Sequence, residues 1–289
     1  MAILENDHLL VIIETKGAEL QSLISKKTGI EYMWVGDPAF WGKHSPVLFP
    51  IVGGLKEDTY YYNDKAYQLP RHGFARDQEF ELTQISDTEI LFTLHHSQAS
   101  MAIYPFAFTL CLRYTLHQHQ LTCSYEVYNP AKDILLFSVG AHPAFAVPML
   151  NALEDYKNYY LQFNVLETLH RWKLQNGLIG PNAALLPTEN GRLQLAPELF
   201  YEDAIVLKGL QSNRITIGCD THPHRLVFNF NGFDYFGIWA AKDAPFVCLE
   251  PWCGIADSVN SNQLLTDKEG IQTLQPYQQW ARAWSVECY

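Results

Sequence analysis

FTLCLRYTLHQHQLTCSYEV, residues 108–127, reads as two β-strands and the turn between them. Phe108, Leu110, Leu112, Tyr114 and Leu116 are apolar, with Thr109, Arg113 and Thr115 between them. Beyond the polar link His117 to Gln120, Leu121, Cys123, Tyr125 and Val127 alternate with Thr122, Ser124 and Glu126. A period of two is the spacing at which a strand sends alternate side chains to a core and to solvent. Two such runs across a short polar link predict a hairpin with one buried face.

Outward from this hairpin the pattern repeats. Phe80 and Leu82 alternate opposite Ile90, Phe92 and Leu94 across Ser86-Asp87, and Leu226, Phe228 and Phe230 precede Asn231-Gly232 and a further run from Tyr235 to Ala240. Asn-Gly tolerates positive φ at both central turn positions, so a second hairpin is predicted there. Helical stripes never last more than a turn or two; Pro197–Phe200 suits one short turn. Many short strands with frequent turn signals predict an all-β protein, a large antiparallel β-sandwich. The polar stretch Leu174 to Arg192 reads as a long surface loop. Because the strand pattern resumes unchanged beyond it, residues 1–289 are expected to form a single domain.

Composition narrows the partners. The chain carries 31 acidic and 20 basic residues, a net charge of −11, which repels phosphate backbones and argues against nucleic acid. No run approaches the roughly 20 apolar residues of a membrane helix, so no membrane is expected. The N-terminus lacks a basic leader and a small-residue cleavage site. Six cysteines show no Cys-x-x-Cys spacing and read as reduced core residues. A cytoplasmic protein is expected.

Three apolar runs break into glycine- or proline-marked ends: LPRHGFAR (69–76), FSVGAHPAF (137–145) and FVCLEPWCGIADS (246–258). Each sets an ionisable residue at the edge of hydrophobic sequence: His72, His142 and Glu250. Any one alone is more often a satisfied core residue than a catalyst. Together they offer a proton donor and a proton acceptor, the pairing general acid–base chemistry needs. Spacing does not show that they meet. His222-Pro-His224 and His117-Gln-His119 have a spacing used for metals, but no glutamate follows His224 before Asn231, so both read as solvated loop histidines and no metal site is expected. There is no Gly-x-Ser-x-Gly elbow, and Cys253 has no evident histidine partner for nucleophilic catalysis.

The chain resembles the aldose 1-epimerase (galactose mutarotase-like) superfamily, especially its LacX-like branch. The likeness rests on GAEL (17–20), EYMW (31–34), PVLFPIVG (46–53), RHGFAR (71–76), GAHPAF (140–145), YEDAIV (201–206) and LEPWCG (249–254), in that order. It implies a galactose mutarotase-like supersandwich that interconverts the α and β anomers of an aldohexose without metal or organic cofactor. Carried over by motif, His142 resembles the acid that protonates the ring oxygen, and Glu250 the base that takes the anomeric hydroxyl proton. His72 resembles a sugar-contacting histidine of the catalytic set, and Asp203 an acid that binds hydroxyls. Arg76 and Arg71 offer forked donors to hydroxyls or a phosphate, and Trp252 a surface for stacking. For His142 to act as an acid near pH 7, a neighbouring carboxylate or buried acceptor should favour its cation. The chain departs from galactose-type members, which carry an upstream asparagine-arginine pair and His-Gly-Gly; here Phe74 follows His-Gly. Galactose preference is therefore not implied. Alternatives within the resemblance are a hexose-6-phosphate 1-epimerase and a non-catalytic sugar-binding module; a monomer or homodimer is expected.

Overall fold

A computed structural model of the chain describes residues 1–150 and 154–289. Residues 108–127 form the expected hairpin: Thr109–His117 pairs antiparallel with Gln120–Tyr128, His117 lying opposite Gln120. Leu110, Leu112, Tyr114, Leu121, Cys123, Tyr125 and Val127 are buried while the residues between them are part-exposed, so the period of two is read out directly. The hairpin sits inside a nine-stranded sheet. On one side it pairs with Glu89–His95, which pairs with Glu81–Ser86 across the Ser86-Asp87 turn; on the other it pairs with Gln279–Cys288.

The second sheet has eight strands. It runs from Leu178–Leu186 through Leu169–Gln175, Ile205–Lys208, Tyr235–Trp239, Phe246–Cys253 and Val139–Ala141 to Val47–Leu48, with Ala144–Ala146 also pairing to Phe246–Cys253. All named pairings in both sheets are antiparallel. The fold is the expected all-β sandwich of large antiparallel sheets. Trp284, Tyr114, Tyr125, Phe92, Phe108 and Phe145 are among the largest fully buried side chains of the main core. Phe246–Cys253 is buried along its whole length, as expected of a strand covered on both faces. A second, smaller apolar cluster, including Val52, Ile179, Val206, Trp252 and Ile255, builds up on this sheet.

Two expectations are corrected. Asn231-Gly232 does not close a hairpin. Leu226–Asn229 pairs within the nine-stranded sheet, whereas Tyr235–Trp239 pairs within the eight-stranded one. The link carries the chain from one sheet to the other, with Phe230 and Phe233 buried in the core. Turn residues encode a reversal; which strands then pair is decided by where the apolar faces are buried. Leu174 to Arg192 is not a long loop either. Leu169–Gln175 and Leu178–Leu186 form a hairpin turned at Asn176-Gly177, both with positive φ (52° and 78°). It lies at a sheet edge with much of one strand exposed, so its sequence is polar without being irregular.

The short turn at Pro197–Phe200 is a 3₁₀ helix. All six cysteines are unpaired, and five are buried. No helix among the described residues is long and apolar enough to cross a membrane.

Candidate active site

Phe246–Cys253 carries Glu250, and its partner strand breaks opposite that residue. Val139–Ala141 pairs with it from Cys253, and Ala144–Ala146 resumes at Cys248, in one continuous register (Gly140 with Trp252, Ala144 with Cys248). The same register sets His142 opposite Glu250. Leu249 donates its N–H across to Pro143, 3.1 Å away. Two residues on, the strand presents Pro251, which has no N–H to offer, so the gap in the ladder leaves no strand donor stranded there. Facing cross-strand side chains lie on one side of a sheet, and His142 Nε2 is 3.4 Å from Glu250 Oε2.

Both groups are nearly sealed from solvent, with side chains 11% and 3% exposed. Burial pushes the Glu250 carboxyl well above the usual carboxylate range, against the pull of the Arg71 guanidinium, with Asp203 adding to the rise. Burial lowers the His142 imidazole to about 3, and the charges of Arg71 and Arg76 push the same way. Burial thus opposes the cation expected for His142, while the carboxyl expected beside it is present at 3.4 Å. Each group alone resists ionisation, because charge is costly where water is excluded. As a pair they can share one proton, either as acid beside neutral imidazole or as carboxylate beside imidazolium.

His72 approaches the pair from the loop after Leu69, its ring 5.8 Å from that of His142. Its backbone has φ 70°, a left-handed conformation uncommon for a residue with a side chain and frequent at functional sites. Gly53 N–H donates to His72 Nδ1 at 3.1 Å. The neutral ring, favoured because burial and then the charges of His142, Arg71 and Arg76 depress its basicity, must therefore carry its proton on Nε2. Arg71 Nε also directs its N–H at that nitrogen from 3.3 Å; a neutral ring accepts only once, and the shorter bond from the fixed Gly53 backbone takes the lone pair, leaving Nε2–H beside the guanidinium. Arg76 is anchored through Nη2 to the Arg71 carbonyl (2.8 Å), while its Nε is buried without a partner. Asp203 also has positive φ (87°) and uses one carboxylate oxygen to hold the Ala204 N–H.

All seven residues singled out from sequence, His142, Glu250, His72, Arg76, Arg71, Asp203 and Trp252, line one cavity of about 240 Å³. Sites for drug-sized ligands run to roughly 300–1,000 Å³, so this one suits a single small ring. Trp252 is 6% exposed and lies in the floor. Glycines flank it on both neighbouring strands: a Cβ on Gly237 or Gly140 would come within 2.4 or 2.7 Å of the indole. Its Nε1 is buried and unpartnered.

Sequence reasoning missed two tryptophans. Trp41 stacks on His142 (centroids 5.0 Å, 27°) and Trp239 meets it edge-on (5.6 Å); both line the cavity. A tryptophan in the polar loop 37–45, and the sharing of one face by Gly237 and Trp239 beside Glu250, were the available signals. The other histidines lie elsewhere. His222 is not a solvated loop residue: Nε2 meets the Tyr159 hydroxyl at 2.9 Å and its side chain is 9% exposed. His119 packs against His8. Among the described residues, the group of metal-donor type within 4.8 Å of one another is His142, Cys248 and Glu250, which contains the acid–base pair itself.

A family model described as aldose 1-epimerase matches residues 2–268. The chromosomal LacX protein of Lactococcus lactis subsp. lactis is 31% identical over 283 residues, 94% of each chain. The chain belongs to the aldose 1-epimerase family. Family membership makes it an enzyme of the isomerase class acting on a sugar. Two solved structures are similar throughout. A galactose mutarotase related enzyme from Lactobacillus acidophilus is 32% identical with a TM-score of 0.95, covering 100% of this chain and 97% of that one. A galactose mutarotase-like protein from Lactobacillus casei is 32% identical with a TM-score of 0.94, covering 100% of both.

Proposed function

We propose that the protein is an aldose 1-epimerase that exchanges the anomers of an aldohexose by ring opening and reclosure, with residues 1–289 acting as one domain. The observation that carries this reading is the 3.4 Å pair of His142 and Glu250 inside a cavity the size of one sugar ring. Opening requires loss of a proton from the anomeric hydroxyl and gain of one by the ring oxygen. In its carboxylate–imidazolium form, Glu250 accepts the first proton while His142 donates the second. The ring C–O bond breaks, the anomeric carbon becomes an aldehyde, and the pair is left as neutral acid and neutral imidazole. Burial favours that form, so the pair's own proton shift assists ring opening. Rotation about the bond between the first two carbons and the reverse transfers give the other anomer, with no proton consumed.

Around the reacting atoms, His72 Nε2–H, Asp203 and the Trp252 indole N–H provide hydroxyl partners, and Trp41 and Trp239 form apolar walls for ring C–H groups. A second reading concerns the substrate. Arg71 and Arg76 flank the cavity, and the Arg76 Nε lies no nearer to its adjacent acid, Asp77, than 3.7 Å. Two guanidiniums, one of them only loosely paired with the exposed Asp77, suit an anionic sugar such as a hexose 6-phosphate. NMR anomer-exchange measurements on glucose, galactose and their 6-phosphates test both points. Catalysed exchange of at least one is expected. Exchange at the uncatalysed rate for all four would leave a sugar-binding module as the better account.

A further inference from the structure

Behind the cavity wall lies a buried ion pair outside the proposed chemistry. Lys268 and Asp257 have side chains only 3% and 4% exposed, and Lys268 Nζ sits 2.8 Å from Asp257 Oδ1. Lys268 also donates to the Ile255 carbonyl at 2.7 Å. Asp257 uses every polar group it has. Its Oδ2 accepts from Lys56 N–H (3.0 Å), its own N–H donates to Gly54 O (2.9 Å), and its carbonyl accepts from Ile179 N–H (2.8 Å). These bonds tie together three segments that supply cavity wall: Gly53 on one loop, Ile179 on the edge hairpin, and Ile255 with Ala256 on the strand exit. Apolar side chains of similar volume would serve stability as well as a buried ion pair does, or better. They would keep the backbone bonds to Gly54 and Ile179 but could neither accept the Lys56 N–H nor hold Lys268, so the carboxylate is what ties the loop at Lys56 to the strand exit at Ile255.

The loop held this way is the one that presents Gly53 N–H to His72 Nδ1. His72 N–H in turn donates to Gly53 O at 2.9 Å. Gly53 packs so closely on Ala256 that a Cβ there would lie 2.4 Å from the alanine methyl. We propose that Asp257, with its carboxylate neutralised and oriented by Lys268, is a positioning residue that fixes the loop dictating the tautomer and orientation of His72. This rests on the reading that His72 offers Nε2–H to a sugar hydroxyl. The acid–base pair is positioned separately, by the ladder around Phe246–Cys253. Loss of the hub should therefore weaken sugar binding and leave the chemical step in place.

The test uses the full chain and two variants, Lys268→Met and Lys268→Met/Asp257→Leu. The double variant removes the stranded buried carboxylate and should regain stability lost in the single one. Long-range ¹H–¹⁵N spectra of the His72 ring, assigned with His72→Gln, are recorded beside KM, kcat and the pH profile for anomer exchange. Expected are an Nε2-protonated ring with a hydrogen-bonded Nδ1 in the parent, and loss of the Nδ1 signature in both variants. KM should rise about tenfold, as for loss of one well-placed hydrogen bond, with kcat and its pH profile nearly unchanged. Parent-like His72 signals in the variants would overturn the proposal, as would a KM that returns to normal once the double variant restores stability. If the parent itself exchanges no anomers, the epimerase reading fails, and the ring signals alone decide whether Asp257 positions His72.

Discussion

His142 stands opposite Glu250 in the register of a β-ladder, at the point where the partner strand breaks between Ala141 and Ala144. A gap in the ladder frees the imidazole to lean toward the carboxyl, and the intact strands on either side fix the distance. Rigid strands hold a pair more closely than loops do, which matters when misplacement by an ångström costs a large part of the rate.

Replacing Glu250 with Gln should lower kcat for anomer exchange at least a hundredfold, in line with loss of a general base at about 10²–10⁴. It should also stabilise the protein. The folded carboxyl titrates above its unfolded value, so the unfolded chain releases the proton first, and the parent loses stability as pH rises between those two values. Glutamine does not titrate. The Tm of Glu250→Gln is expected to exceed that of the parent at pH 8, with the gap narrowing toward pH 5. A gap that widens on acidification would contradict the assigned shift.

Activity should respond weakly to mild acid. The pair works with one proton; a second one inactivates it, and His142 accepts that second proton only near its lowered value of about 3. After correction for the uncatalysed rate, kcat/KM is expected to show no acid-side fall of more than about twofold down to pH 5. A histidine with the ordinary value of about 6.5 would cost roughly 30-fold at pH 5. An alkaline limb should appear only above the ordinary carboxylate range, set by Glu250. A decline centred near pH 6.5 would show that burial does not control His142.

Gly237→Ala probes the floor. The added methyl would come within 2.4 Å of the Trp252 ring, and Gly237 is the register partner of Glu250. Overpacking of this kind costs about 1–3 kcal/mol. Calorimetry should show that loss, with kcat falling along with it because the indole and the carboxyl share a strand face. Unchanged stability and turnover would mean the indole moves freely and is not wedged in place.

The substrate's charge can be read from Arg76→Ala. If a hexose 6-phosphate is the substrate, KM for the phosphorylated sugar should rise by at least tenfold and become less sensitive to salt, with little change for the free hexose. Equal effects on both sugars would assign Arg76 to hydroxyls.

Much of the architecture was legible because burial and alternation are local. The hairpin at 108–127 follows directly from its apolar positions; the one across Ser86-Asp87 pairs as expected, but Glu81–Ser86 is exposed throughout, Leu82 included. Asn231-Gly232 misled because a turn signal is local while strand partnership is not, and Asn176-Gly177 was hidden in an exposed edge hairpin whose faces are too polar to alternate. Motif likeness picked out seven cavity residues, but only the register shows His142 and Glu250 in contact. Their protonation could not be read from sequence at all, since it depends on how fully the folded sheets exclude water. Trp41 and Trp239 escaped for a related reason: aromatic residues are abundant in this chain, and only packing against His142 separates these two from the core.

The central claim is that His142 and Glu250 act as one proton-holding unit. Anomer-exchange rates for His142→Asn, Glu250→Gln and the double variant test it most directly, with folding of each confirmed. The double variant should be no slower than the slower single one, because removing either member already disables the unit. Losses that multiply, or near-normal exchange in either single variant, would show two independent groups or bystanders in place of a pair.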